Sequence, residues 1–240
     1  RAGCAELRIA YDPDPAAVER AVRETMRANG LADAYVRWSV SAGPAPLGLP
    51  GAAGYGRPNV MLMVKPLPGA PAEPKELHLL RLARSGPEGA VRRKSFHYMN
   101  NILGKWELAE RTLSPRAEGL FLDAGGRLCE GIVSNLFWVS EGRLFTPSTD
   151  TGCLPGVTRG AVLALAHEAG IPVVEGGFPF PALAGAGEAF VTNSVQEVVP
   201  VGALFGRDGA LARRWEAAPG RITAELQEMY RKRTGAEGAP

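Results

Sequence analysis

The sequence predicts an α+β fold in two subdomains. Three observations carry that prediction. Short segments of strand character recur along the whole chain. Glycine-bearing turns join two pairs of them as β-hairpins, which implies antiparallel pairing. Helical periodicity is confined to separate segments between the strands, and no internal repeat links them. The chain has 240 residues, 45% hydrophobic and 22% charged, enough for one large or two modest domains with a real core.

The elements follow in order. Residues 14–30 read as a helix: Pro15 suits its first turn, and Ala17, Val18, Ala21, Val22, Thr25 and Met26 recur at helical spacing. Asn29-Gly30 stops it. Residues 34–41 alternate and read as a strand; residues 42–57 hold many Gly, Pro and Ala and read as a loop. Strands are expected at 58–65 and 76–82. The stretch RSGPEGA, Arg84 to Ala90, is a polar connection of the kind that separates domains. The expected organisation is a small N-terminal domain over 1–84, a connection over 85–93 and a larger domain over 94–240. Within the larger domain a helix is expected at 100–111. Hairpins follow at 120–130, turning on Ala124-Gly125-Gly126, and at 135–146, turning on Ser140-Glu141-Gly142. Then come a helix at 158–169 stopped by Gly170, strands at 171–174 and 189–192, and a C-terminal helix near 219–232 ending in a basic, Gly-bearing tail.

Charge and composition narrow the function. Lys+Arg is 27 and Asp+Glu is 25, a net charge of +2, which argues against a nucleic-acid or membrane-surface protein. The longest apolar run, 59–64, has strand length and falls far short of the roughly 18 residues a membrane span needs. Cys4, Cys129 and Cys153 are few and scattered, so a disulfide framework is not expected and a reducing, cytoplasmic location is. Cys129 and Cys153 read as small packing residues. His78, His97 and His167 lack zinc-ligand spacing with any cysteine, so no metal is expected. The chain opens at Arg1, and further residues are expected ahead of it.

Four local features could carry chemistry. In Gly156-Val157-Thr158 a glycine turn enters a helix, leaving backbone N–H groups beside the positive end of the helix dipole, a natural phosphate site. Asn193-Ser194 closes a strand with small polar residues that could offer the same anion further donors. Glu130 is a lone carboxylate among apolar neighbours and should be paired with something cationic or lie at the surface; the functional reading is that it faces a cationic ring nitrogen. Lys94 sits in Arg92-Arg93-Lys94, where crowded cations favour the neutral form of a buried member, and lysine is the one that can lose its proton. Tyr98 is near enough in sequence to reach the same site. Each feature has a plain structural reading by itself: a capped helix, a turn, a strand-end glutamate, a solvated basic loop. Together and in this order they describe a pyridoxal 5'-phosphate site, which needs an amine, a carboxylate for the ring nitrogen, a phenol and a phosphate cradle.

These residues resemble the class IV aminotransferase family, the fold-type-IV pyridoxal phosphate enzymes. The stretches that carry the resemblance are KSFHYMNN (94–101), EGLFLDAGGRLCEGIVSNLFWV (118–139), TPSTDTGCLPGVTR (146–159) and FVTNSVQEVVPV (190–201). The resemblance implies a D-amino acid aminotransferase-like fold with a small α/β domain and a larger cofactor-binding domain, and a homodimer. It implies that Lys94 carries the cofactor as a Schiff base and that Glu130 pairs with its pyridine nitrogen. Tyr98 would lie near the ring oxygen, and Val157, Thr158 and Ser194 would hold the phosphate. The family's phosphate-binding arginine and the first strands of the small domain would fall just ahead of Arg1. Within the family, KSFHYMNN, RSGPEGAVRRK and VRWSVSAG resemble the aminodeoxychorismate lyases of Bacillus type, which eliminate pyruvate to give 4-aminobenzoate for folate biosynthesis. The alternatives are an aminotransferase acting on branched-chain or D-amino acids, and a non-catalytic relic. Tyr35-Val36-Arg37 resembles the Tyr-x-Arg element of the branched-chain enzymes, with Trp38 in place of the usual proline. A substrate with two carboxylates calls for a cationic clamp, for which Arg37 is the first choice and Arg92 the second. His97 is a further pocket candidate.

Overall fold

The structure, a computed structural model, describes residues 1–69, 71 and 73–235. The chain divides into two compact units, Arg1–Gly69 and Ala70–Pro240. The last five residues of the expected basic tail, 236–240, lie outside the described residues.

The first unit contains helices α1 (Ala2–Glu6) and α2 (Pro15–Ala28) and strands β1 (Tyr35–Ser41) and β2 (Asn59–Lys65). Asp14 caps α2, its carboxylate accepting from the N–H groups of Ala16 at 3.2 Å and Ala17 at 3.1 Å. Pro15 follows at the first helical position, where its missing N–H is harmless. The half-buried stripe of α2 is Val18, Ala21, Val22, Thr25 and Met26, and the helix packs on β2. The two strands pair antiparallel, with Tyr35 opposite Lys65 and Ser41 opposite Asn59. The short α1 is a feature that the sequence pattern does not announce.

The second unit holds strands β3 (Lys75–Leu79), β4 (Ala117–Leu122), β5 (Leu128–Gly131), β6 (Asn135–Ser140) and β7 (Arg143–Pro147), with helix α3 (Met99–Ala109) between β3 and β4. Helix α4 (Val157–Glu168), strand β8 (Val173–Gly176), helix α5 (Phe180–Ala184), strands β9 (Glu188–Asn193), β10 (Glu197–Phe205) and β11 (Leu211–Arg214), and helix α6 (Arg221–Thr234) complete it. Strand pairing closes a ring, β10–β3–β4–β5–β6–β9 and back to β10. Strands β7 and β8 extend from β6, and β11 extends from β10.

Leu77, Leu120, Leu128, Leu136, Trp138, Val191 and Val201 fill one face of this ring as a single apolar cluster. The opposite face is covered piecewise. Helices α4 and α6 pack over Phe137 and Phe190, whose rings stack at 5.0 Å. Helix α3 packs beside Leu80, Phe121, Cys129 and Cys153. Gly104 is required there, because a Cβ at that position would sit 2.6 Å from the Phe121 ring. Among the described residues no helix is long and apolar enough to cross a membrane.

Both expected hairpins form, as β4–β5 and β6–β7. Three further findings depart from the sequence pattern. The compact units divide at 69/70 rather than near 84, because β3 pairs in parallel with β4 and β10, strands distant in sequence. The sheet is mixed, since β7 and β8 also pair in parallel. Strands β10 and β11 have no clear signal in the sequence; Pro200 and Gly202 interrupt the apolar pattern of β10, residues that ordinarily demote a strand.

Glu188, at the start of β9, shows how distant segments are tied. Its carboxylate accepts from Ile222 N–H at 3.1 Å, Thr223 N–H at 2.8 Å and the Thr223 hydroxyl at 2.7 Å, capping α6 from another element. Glu188→Ala should therefore lower the unfolding free energy by about 1–2 kcal/mol in a urea titration. An unchanged midpoint would show that α6 does not depend on this cap.

Candidate active site

Glu130 is the place to begin, because its direction is set by a backbone irregularity. Leu122 pairs with Leu128 and Leu120 pairs with Gly131, so β5 carries one residue more than β4 between these pairs. This is a β-bulge. Leu128 points into the apolar cluster of the ring, and strict alternation would send Glu130 the same way. The bulge instead turns Glu130 to the outer face, in register with Asn135 of β6 and, one strand further, Thr192 of β9. Directly opposed residues share a face, so Glu130, Asn135 and Thr192 form one polar row.

Three segments converge on this row. Leu154 donates its N–H to Glu130 Oε2 at 2.9 Å, and the Leu154 carbonyl accepts from Asn135 Nδ2 at 2.7 Å. That fixes the turn entering α4. Arg84 Nε donates to Glu130 Oε1 at 2.7 Å. Arg84 also donates to the side chains of Asn100 at 2.7 Å and Asn101 at 3.3 Å, at the start of α3. Arg92 Nε lies 3.9 Å from Glu130 Oε1. The segment carrying Lys94 and Tyr98 is thus pinned at Arg92 and at Asn100, two points that both refer back to Glu130.

All three charged groups are nearly out of water: Glu130 is 4% exposed, Arg84 6% and Arg92 5%. Burial lowers the Arg92 pKa, and the neighbouring charge of Arg84 lowers it further. Arg92 is moreover committed to the carbonyls of Gly152, at 2.6 Å, and Ser85. The structure therefore gives Arg92 a clamp on the chain's own backbone and carboxylate. The buried member of Arg92-Arg93-Lys94 is an arginine, which keeps its charge, whereas Lys94 is exposed. The crowding argument for a neutral buried lysine does not hold in this geometry.

The other predicted residues fall as follows. Tyr98 is half-buried at the N-terminal boundary of α3. The exposed His97 ring faces Glu88, Nδ1 to Oε1 at 3.1 Å. Gly156 precedes α4 with no capping side chain, so the first N–H groups of the helix, those of Val157 and Thr158, are left for another acceptor. A Cβ on Gly156 would stand 2.2 Å from Asn135 Oδ1, which explains glycine there. Ser194 is exposed in the turn after β9, where Asn193 Oδ1 accepts from Val195 and Gln196 N–H. Arg37 lies in the first unit, on the face of β1 shared with Tyr35 and Ser39.

Sequence reasoning missed Arg84, Asn135, Thr192 and Glu118. Arg84 reads in the sequence as the first residue of a polar connection; the one available signal is that a buried Glu130 demands a cation. The Thr192 hydroxyl is buried and has no hydrogen-bond partner; it lies beside Asn135, which stands between it and Glu130. Glu118 lies beneath the β5–β6 turn, its Oε1 accepting from Val133 N–H at 2.9 Å and the Ser134 hydroxyl at 2.8 Å. Gly131 fits against both, since a Cβ would stand 2.2 Å from Ser134 Oγ and 2.5 Å from Glu118 Oε1. Among the described residues no cluster of His, Cys, Asp or Glu could hold a metal ion.

Residues 1–204 match the model of the family described as amino-transferase class IV. The chain belongs to that family. It is 35% identical over 230 residues to the aminodeoxychorismate lyase of Bacillus subtilis (strain 168), covering 95% of this chain and 75% of the relative. The solved 4-amino-4-deoxychorismate lyase of Pseudomonas aeruginosa is 29% identical with a TM-score of 0.77, over 96% of this chain and 81% of that one. The solved branched-chain aminotransferase of the thermophilic archaeon Thermoproteus uzoniensis, with norvaline, is 26% identical with a TM-score of 0.82, over 98% of this chain and 76% of that one. The α+β architecture is that of class IV aminotransferases.

Glu118 provides a test of the shell behind the row. Burial is the main cause of its raised pKa, opposed by the bonds from Val133 and Ser134. The native chain thus holds this proton more tightly than the unfolded chain. The carboxyl favours folding at pH values below the unfolded carboxylate range, and that contribution is lost as pH rises through the raised native value. Glu118→Gln keeps an acceptor oxygen and has nothing to titrate. Its urea midpoint should fall less than the parent's between about pH 4.5 and 7; parallel profiles would contradict this account.

Proposed function

We propose that this chain is a pyridoxal phosphate-dependent 4-amino-4-deoxychorismate lyase that eliminates pyruvate from its substrate to give 4-aminobenzoate. The observation that supports it most is the convergence on Glu130 of the lysine segment, the α4 entry turn and the β6–β9 row. The 35% identity to the Bacillus lyase over 95% of the chain supports the choice of reaction.

The residues suit the cofactor on their own chemistry. An uncapped helix N-terminus behind a glycine is an anion site, so the N–H groups of Val157 and Thr158 would hold the phosphate, with Ser194 from the β9 turn. Glu130 is an acceptor for a protonated ring nitrogen, and each of its oxygens has capacity beyond the bond it already accepts. Tyr98 would lie toward the ring oxygen. When bound, the cofactor supplies an electron sink for charge developing at the substrate's reacting carbon. Lys94 Nζ would hold the cofactor covalently until substrate displaces it, then take the proton from the carbon bearing the substrate amine. Glu130 would keep the ring-nitrogen proton in place throughout. Arg37 is the proposed clamp for a substrate carboxylate.

The second reading is a class IV aminotransferase acting on branched-chain or D-amino acids, favoured by the likeness to the Thermoproteus uzoniensis enzyme. Lys94 and Glu130 serve both reactions equally, so the assay must distinguish products. Purified protein with aminodeoxychorismate should form 4-aminobenzoate and pyruvate. Rapid amine transfer to 2-oxoglutarate without 4-aminobenzoate would overturn the lyase. Lys94→Ala should abolish product and the visible absorbance of the bound cofactor; a variant that kept that absorbance would remove Lys94 from its role.

The protein is further proposed to act as a homodimer in the cytoplasm. The α3 face supports the dimer: Met99 is 75% exposed, Ile102 46%, Leu103 41% and Trp106 64%, a helical stripe of apolar residues that favours burial against a second copy. The unpaired Cys4, Cys129 and Cys153 support the location. Trp106→Glu should shift the mass measured by analytical ultracentrifugation from dimer to monomer. A dimer undiminished by that charge would move the interface elsewhere.

A further inference from the structure

Two guanidiniums on one carboxylate make an unusual buried cluster. Arg84 and Arg92 bring two guanidiniums to the one carboxylate of Glu130, all three in near-complete burial. Such a cluster is poorly explained as a stabilising device, since removing charges from water offsets most of what their attraction returns. Its geometry is also unequal. Arg92 spends its bonds on the carbonyls of Gly152 and Ser85 and only approaches Glu130. Arg84 makes the direct bond, and everything around it fixes that bond. Its N–H donates to the Leu122 carbonyl at 2.7 Å, on the strand adjoining β5. Its guanidinium lies 5.4 Å from the centre of the Phe121 ring and donates to Asn100 and Asn101. Asn100 in turn donates to the Ala83 carbonyl at 3.0 Å and accepts from Ser85 N–H at 3.2 Å, gripping the backbone on both sides of Arg84.

We propose that Arg84 is a positioning residue that holds the Glu130 carboxylate as an oriented anion and ties it to the start of α3, so that carboxylate and lysine segment keep one geometry. This rests on the cofactor reading above. Arg84 need not touch cofactor or substrate; it acts through Glu130. With Oε1 fixed by Arg84 and Oε2 by Leu154 N–H, the carboxylate plane has one orientation, and its remaining lone pairs point in set directions. Arg92, 3.9 Å from Oε1, closes the approach on that side.

The test titrates pyridoxal 5'-phosphate into the cofactor-free protein and into Arg84→Met and Arg84→Lys, following visible absorbance against pH. Arg84→Met is expected to weaken binding by roughly ten- to a hundredfold, the worth of one hydrogen bond to a charged group. It is also expected to displace the pH midpoint of the visible band, which a purely structural role would leave in place. Arg84→Lys returns a charge without the fork, so the midpoint should move back toward the parent while the weakened binding largely remains. Urea unfolding of the cofactor-free proteins gives a second reading that does not need the cofactor. Arg84→Met should lower the midpoint, and Arg84→Met/Glu130→Gln should recover part of it, because the deserted carboxylate is then gone. Should Arg84→Met fail to fold, that rescue and Arg84→Lys decide. Binding and midpoint unchanged by either substitution, with the parent binding normally, would overturn the role of Arg84 alone. No binding by the parent would overturn the cofactor reading, and this inference with it.

Discussion

A carboxylate almost wholly removed from water, bonded to one guanidinium and approached by a second, sets the terms on which the larger unit is assembled. A buried charge tolerates few arrangements, because each missing partner leaves an unpaired ion in a medium that cannot solvate it. Satisfying Glu130 therefore fixes three stretches of chain together: the connection beginning at Arg84, the helix start at Asn100 and Asn101, and the turn at Leu154 that leads into α4. On the proposed reading, the first of these stretches leads to the lysine and the last to the phosphate donors. Electrostatic satisfaction and site assembly are one requirement.

The sheet supplies the precision. One extra residue in β5 turns Glu130 away from the apolar interior to the face it shares with Asn135 and Thr192. Glycines at 131 and 156 let Ser134 and Asn135 approach the backbone closely on either side of that row. A buried Glu118 holds the β5–β6 turn by its Val133 and Ser134 contacts. Each element is local, and each is displaced if the strand register slips by a single residue.

That frame is indifferent to which of two reactions it serves. The roles proposed for Lys94, Glu130 and the start of α4 would support elimination and amine transfer alike, and lyases and aminotransferases both appear among the solved relatives. Discrimination belongs to groups that meet the substrate beyond the common centre.

The sequence by itself determined the local structure. The Pro15 start and apolar stripe of α2, the hairpins on Gly125-Gly126 and Gly142, and the glycine-led start of α4 are short-range consequences of turn chemistry and periodicity, and all are present. It also marked Glu130 as a carboxylate that must either pair with a cation or lie at the surface. Tertiary structure alone decided the rest. The parallel pairing of β3 with β4 and β10 moves residues 75–79 into the larger unit, and no local pattern encodes a partner dozens of residues away. The outward turn of Glu130 depends on a bulge visible only against β4, and its cation proved to be Arg84, 46 positions earlier. Periodicity reports which face a residue prefers; which distant charge it meets there is settled only when non-local strands close and leave a buried ion one place to find its partner.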